Sequence, residues 1–192
     1  MSTHRPPPSG PSDAALIAAV LDGDREPFRV LVERYQRAYL LYATRMVSSE
    51  ATAQDIVQDA FVTAFEKLAT CEQPERFASW CFHIVRNGCH DHLRSPASRS
   101  AGPDPLDTLA AEGEDPSRAA ERSDLRNAVL EAVRSLSPTL REAFVLYHEQ
   151  SLTYPEMAER LGASESALKM RVKRARDELQ ERLAAYRDHV RT

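Results

Sequence analysis

Glycine and aromatic residues are scarce in this chain, and no long hydrophobic run interrupts it. Six glycines and 7% aromatic residues among 192 supply few of the tight turns and ring-rich strands on which antiparallel sheets are built. The longest apolar run, Ala14 to Leu21, is far shorter than the roughly 20 residues of a bilayer-spanning helix, so no membrane insertion is expected. Three cysteines, Cys71, Cys81 and Cys89, are an odd number without regular spacing; they make no disulfide framework and fit a reducing cytoplasm. Residues 1–11 are rich in proline and serine and lack a signal-peptide core, which reads as a disordered tail. A glycine-rich phosphate loop, a nucleophile elbow and a metal quartet are also missing, so neither an enzyme nor a cofactor is expected. Cys81 and Cys89 in particular would lie about 12 Å apart on a helix rising 1.5 Å per residue, too far to share one metal ion.

Apolar residues make up 42% of the chain and charged residues 28%, a balance suited to amphipathic helices. Residues 12–95 read as a first domain of four helices. A short one covers Asp13 to Leu21. Asp24 is placed to cap a second, with Phe28, Leu31, Val32, Tyr35, Tyr39, Tyr42 and Met46 at helical spacing. Ser49 opens a third, whose apolar face carries Val57, Ala60, Phe61, Ala64, Phe65 and Leu68. A fourth runs from about Phe77 to Leu93. No window alternates with period 2, so the fold class is all-α.

Residues 96–122 hold four prolines, with six acids against three bases and no sustained apolar period. Such a stretch reads as a flexible linker, and its length argues for two small helical domains rather than one. The second domain, residues 123–187, begins with a helix bearing Leu125, Val129, Leu130, Val133 and Leu136. Ser137-Pro138 opens the next, to about His148. Thr153 and Glu156 have capping-box spacing, Gly162 is placed to end that short helix, and Ser164 to cap another. Two helices across a turn of about three residues form a helix-turn-helix pattern.

The net charge of −4 hides a segregation of sign: residues 164–176 carry five bases against one acid. On a helical wheel Leu168, Val172, Ala175 and Leu179 form an apolar stripe. Ser166, Met170, Lys173 and Arg174 fall opposite, flanked by Lys169 and Arg171. A helix seated in the major groove needs this division between a core side and a base-reading side with cationic flanks. On the fourth helix, His83, Arg86, Asn87, His90 and Arg94 share a polar stripe beside Trp80, a combination suited to unstacked DNA; a plain solvated face would carry the same residues. Asp55, Gln58, Asp59 and Glu66 lie opposite the apolar face of the third helix. That surface would repel DNA and suits a protein partner with Arg or Lys, though it too has a purely solvated reading.

Three stretches of the first half carry a family resemblance: Ala53-Gln54-Asp55-Ile56-Val57-Gln58-Asp59-Ala60-Phe61; Phe77-x-x-Trp80 with Ile84-x-Arg86-Asn87; and His92-Leu93-Arg94. They resemble region 2 of extracytoplasmic-function (ECF) sigma factors. Leu136-x-Pro138-x-x-Arg141, Leu152-Thr153-Tyr154-Pro155-Glu156-Met157-Ala158 and Lys169-x-Arg171-x-x-Arg174-Ala175-Arg176 resemble region 4. The resemblance implies a factor that binds core RNA polymerase and promoter DNA, with an anti-sigma factor as a further partner. It assigns Asp55, Gln58 and Asp59 to the polymerase contact. It places Trp80, His83, Arg86, Asn87, His90 and Arg94 at the −10 element. The −35 element falls to Ser166, Lys169, Met170, Lys173 and Arg174, with Arg171 and Arg176 on phosphates. Three departures stand out: Cys81 where the family carries leucine, Gly88-Cys89 inside the fourth helix, and Met170 on the reading face.

Overall fold

In the computed structural model, residues 10–95 and 116–190 are described. Most of the expected tail and linker lies outside them. The described elements are helices: α1 (Asp13–Leu21), α2 (Glu26–Val47), α3 (Glu50–Glu66), α4 (Phe77–Arg94), α5 (Pro116–Arg134), α6 (Pro138–His148), α7 (Tyr154–Leu161) and α8 (Glu165–Val190), with two 3-10 turns at Leu68–Thr70 and Pro74–Arg76. None of the helices among the described residues is long and apolar enough to cross a membrane.

Local chemistry explains most of the boundaries. The hydroxyl of Ser12 accepts from the Ala15 amide and that of Ser49 from the Thr52 amide, each satisfying one orphan donor at a helix start. Asp24 acts one residue earlier than expected. Arg25 is the N-cap of α2, and the Asp24 carboxylate accepts from the Glu26 amide instead. Pro27 and Pro138 sit in the first turns of α2 and α6, where a missing N–H costs nothing. α5 starts at Pro116, inside the stretch read as linker, so its final residues are helical.

Helices α2, α3 and α4 bury the faces anticipated for them. Leu31, Tyr42, Met46, Ala53, Ala64, Phe77 and Val85 are fully enclosed. Gly88 does not interrupt α4, which runs through it. A Cβ at this position would stand 2.9 Å from Cγ2 of Ile56 on α3, so glycine is what lets the two helices approach. In the second half the apolar face of α5 is only partly covered: Val133 and Leu136 are buried with Ala175 and Leu179, whereas Leu125 and Val129 are exposed.

The two halves pack together. The core around α2 and α4 continues without a break into Ala143, Val145 and Leu146 of α6, Met157 of α7, and Leu168 and Val172 of α8. The C-terminal carbonyls of α2 are claimed from the second half as well. Arg141 donates to the Met46 carbonyl, and Arg134 Nη2 to that of Ser48 at 3.1 Å. Ser48 adopts the left-handed conformation that ends the helix. Positive charge at a helix C-terminus also complements its dipole.

Candidate nucleic-acid and polymerase interfaces

The helix-turn-helix is built as the sequence anticipates. Thr153 and Glu156 close a reciprocal capping box at the start of α7: the Glu156 carboxylate accepts from the Thr153 amide at 2.7 Å, and the Thr153 hydroxyl accepts from the Glu156 amide at 3.4 Å. Gly162, with φ of 62°, turns the chain in the left-handed region that favours glycine. The Ser164 hydroxyl then accepts from the Ala167 amide at the start of α8. Leu168, Val172, Ala175 and Leu179 are all buried. Ser166, Lys169, Met170, Lys173, Arg174 and Arg176 are exposed, and Arg171 is half-buried. Met170 is 50% exposed, although it is a large apolar side chain.

Two cations at the edges of this face are held in place. Lys169 Nζ lies 5.5 Å over the ring of Tyr154 and 3.6 Å from the Glu165 carboxylate. Arg176 lies 5.3 Å over the ring of Tyr147 and donates through Nε to His148 Nε2 at 3.0 Å. Tyr147 and Tyr154 stack on one another. Burial, followed by the nearby Arg176 charge, lowers the His148 pKa, which favours the neutral ring that this hydrogen bond requires. Lys173 and Arg174 have no ion-pair partner among the described residues, leaving their charges toward solvent.

On α4 the expected stripe divides. Asn87 is exposed, Arg94 pairs with Asp91 one turn away, and Trp80 is half-buried with its ring 5.9 Å from that of Phe77. Arg86 and His90 instead point into the second half. Arg86 donates through Nε to Glu142 Oε1 at 2.6 Å and through Nη2 to Oε2 at 3.0 Å, while His90 Nε2 lies 3.3 Å from Oε1. Tyr42 completes the group, its hydroxyl donating to the same Oε1 at 2.8 Å. Burial alone would raise the Glu142 pKa; hydrogen bonds from His90 and Arg86, with the Arg86 charge, overcome it and bring the carboxyl down to about 2. His83 is lowered by burial and then by the Arg86 charge. Arg86 and His90 stand out in the sequence as site residues; Glu142 does not, Tyr42 reads there only as part of an apolar face, and Arg141 only as part of a motif.

The acidic face of α3 is exposed at Asp55, Gln58 and Asp59. Beside it an open groove of about 880 Å³ runs between α2 and α3, over Phe28, Leu40, Val57, Phe61 and Phe65, with Gln54 and Gln58 on its lip. Val62, which also lines it, is 52% exposed. No local pattern marks this groove, because its floor consists of residues that periodicity cannot tell from core.

A helix-turn-helix with an exposed cationic face, joined to a helical bundle with an acidic flank, is an architecture of transcription factors. The sigma-70 region 2 family model matches residues 31–99, and the sigma-70 region 4 model matches residues 126–179. The probable RNA polymerase sigma factor RfaY of Xanthomonas campestris is 30% identical over 158 residues, covering 80% of this chain, which spans only 40% of that longer protein. The ECF RNA polymerase sigma-E factor of Escherichia coli is 28% identical over 176 residues, covering 86% of this chain and 91% of its own length. Among solved structures, the sigma factor RpoE of Bartonella quintana, determined in complex with the anti-sigma factor NepR, superposes with a TM-score of 0.59 at 25% identity. That match covers 82% of this chain and 96% of RpoE. The chain belongs to the sigma-70 family, as an ECF RNA polymerase sigma factor with regions 2 and 4.

Proposed function

We propose that this sigma factor acts in the cytoplasm, docking on core polymerase through the α3 face and reading promoter DNA with two separate helices. Residues 12–95 form the polymerase and −10 domain, residues 96–122 the connecting linker, and residues 123–187 the −35 domain. The observation that carries this reading is the segregation on α8, where a fully buried apolar stripe backs an exposed face of Ser166, Lys169, Met170, Lys173 and Arg174. That face would meet base edges in the major groove, with Arg171 and Arg176 on phosphates. Asp55, Gln58 and Asp59, beside the apolar groove, suit a polymerase helix with basic residues flanking an apolar ridge. Trp80, His83, Arg86, Asn87, His90 and Arg94 would engage the −10 strand as it melts. An anti-sigma factor, such as the one bound to the Bartonella protein, would act by covering these faces.

Transcription from a promoter library by core polymerase supplemented with this chain tests the whole reading. Asp55→Lys with Asp59→Lys should abolish polymerase capture while helical content stays unchanged. Met170→Ser should alter which −35 bases are selected without changing the salt dependence, since it removes no charge. Arg86→Ala with Asn87→Ala should impair opening of a duplex promoter more than use of a pre-melted template. Undiminished polymerase capture, or an unchanged −35 preference, would refute the corresponding assignment.

A further inference from the structure

The first half directs three donors at one buried carboxylate of the second half. Glu142 is fully enclosed. Its Oε1 accepts from Tyr42, Arg86 and His90, and its Oε2 from Arg86. The two parallel bonds from Arg86 match the fork by which a guanidinium grips any planar or tetrahedral oxyanion, phosphate included. A buried ion pair is seldom the most stable filling for such a site, because desolvation of both charges offsets much of their attraction. As a device for stability the cluster is therefore poorly explained. As a binding pocket for an anion it is well formed, with a neutral hydroxyl, a forked cation and an imidazole converging on one point.

We propose that Tyr42, Arg86 and His90 form a pocket for a single DNA phosphate, and that Glu142 fills it as an internal substitute for that phosphate while the two halves are closed together. The proposal rests on the assignment of Arg86 and His90 to the melted −10 strand, and adds Tyr42 to them. A phosphodiester presents one negative charge on two non-bridging oxygens, the same demand a carboxylate makes. Carboxylate and phosphate cannot occupy the pocket together, so closure withholds Arg86 and His90 from DNA. Among the other polar contacts between the halves, the Arg141 bond to the Met46 carbonyl is buried and the Arg134 bond to the Ser48 carbonyl partly so, whereas two ion pairs lie nearer solvent and are easier to release. Arg76 pairs with Glu159 at 3.2 Å with both side chains more than half exposed, and Arg45 pairs with Glu149 at 2.5 Å near the surface. Parting the halves uncovers Tyr42, Arg86 and His90 already converging on one point, a ready-made anion site.

The test uses the full chain without polymerase and a fluorescent, random-sequence single-stranded DNA 12-mer, because a phosphate contact needs no particular sequence. Anisotropy reports binding and small-angle scattering reports whether the halves have parted. Glu142→Gln keeps the shape and removes the charge; it should raise the radius of gyration and tighten DNA binding about tenfold or more. The gain should vanish when Arg86→Ala is added, and also on an oligonucleotide with an uncharged methylphosphonate backbone. A gain that survives either change would overturn the phosphate pocket, as would an opened Glu142→Gln protein that binds no better than its parent. If Glu142→Gln does not fold, Glu149→Ala with Glu159→Ala leaves the pocket intact and loosens its surroundings. That pair should produce a smaller gain of the same kind, again abolished by Arg86→Ala. Closed scattering with unchanged binding in the variants that fold would overturn the role of Glu142. Promoter opening by the Arg86→Ala holoenzyme separates this proposal from the one it rests on. If opening persists, the −10 assignment itself fails; if opening is lost while Glu142→Gln gains nothing, only the substitute-phosphate proposal fails.

Discussion

Gly88 shows how a single residue can oppose helix propensity and still be the right one. Alanine would improve α4 locally by about 1 kcal/mol. Its methyl, however, would stand 2.9 Å from Cγ2 of Ile56, and a β-branched side chain on a helix has little freedom to turn aside. Overpacking of this kind costs about 1–3 kcal/mol. Gly88→Ala is therefore expected to lower the urea midpoint, while in an Ile56→Ala background the same change should raise it; a double-mutant cycle measures the coupling. From sequence alone Gly88 reads as a flaw in the helix, because its reason lies on another element. The same holds for Glu142. Its partners Tyr42 and Arg86 are 100 and 56 residues away in the chain, and no local pattern announces a buried carboxylate. Leu168, Val172, Ala175 and Leu179 could be read in advance because periodicity is a property of the helix itself.

Among the elements, those bounded by capping chemistry were the most legible. Thr153, Glu156, Gly162 and Ser164 mark both ends of α7 and the start of α8, since each cap is local: three are made by side chains within three residues of the backbone they serve, and that of Gly162 by its own left-handed backbone. The start of α5 was less so: Pro116 follows directly on the acids and prolines of the linker with no apolar period to mark a change, and the helix begins there all the same. With eight residues, α7 is too short to be stable on its own and depends on its cap and its packing. Replacing Thr153 with alanine removes the hydroxyl from the capping box and should destabilise the fold by about 1 kcal/mol. Because α7 supports α8, the variant should also weaken DNA binding at elevated temperature more than at low temperature. Thermal unfolding followed by circular dichroism, alongside binding at two temperatures, would check both effects.

For the whole molecule, the Glu142 cluster makes closure depend on pH in a predictable direction. In an opened or unfolded chain this carboxyl would titrate near 4.3, whereas in the closed form it is held at about 2. A depressed folded pKa means that the stabilisation is complete above the ordinary carboxyl range and is lost as pH falls toward 2. The parent protein should thus lose closure between about pH 4.5 and pH 2, and Glu142→Gln should lack that component of the transition. Small-angle scattering across this range, with the variant as the control, measures it. The two domains expected from the sequence are present as two helical sets. Their packing against each other was not legible, because the joining core takes residues such as Leu146 and Met157 that serve equally well inside the second half.

That continuous core also sets how closure responds to heat and cold. Parting the halves exposes apolar side chains to water, so opening carries a positive heat-capacity change. Apolar attraction weakens on cooling, and the ionic contacts at the rim do not compensate in kind. Away from the temperature of greatest stability the balance shifts toward the open form on the cold side as well as the hot. A molecule held shut by its interior rather than by its surface charges carries a temperature optimum for silence, below which Arg86 and His90 become easier to reach.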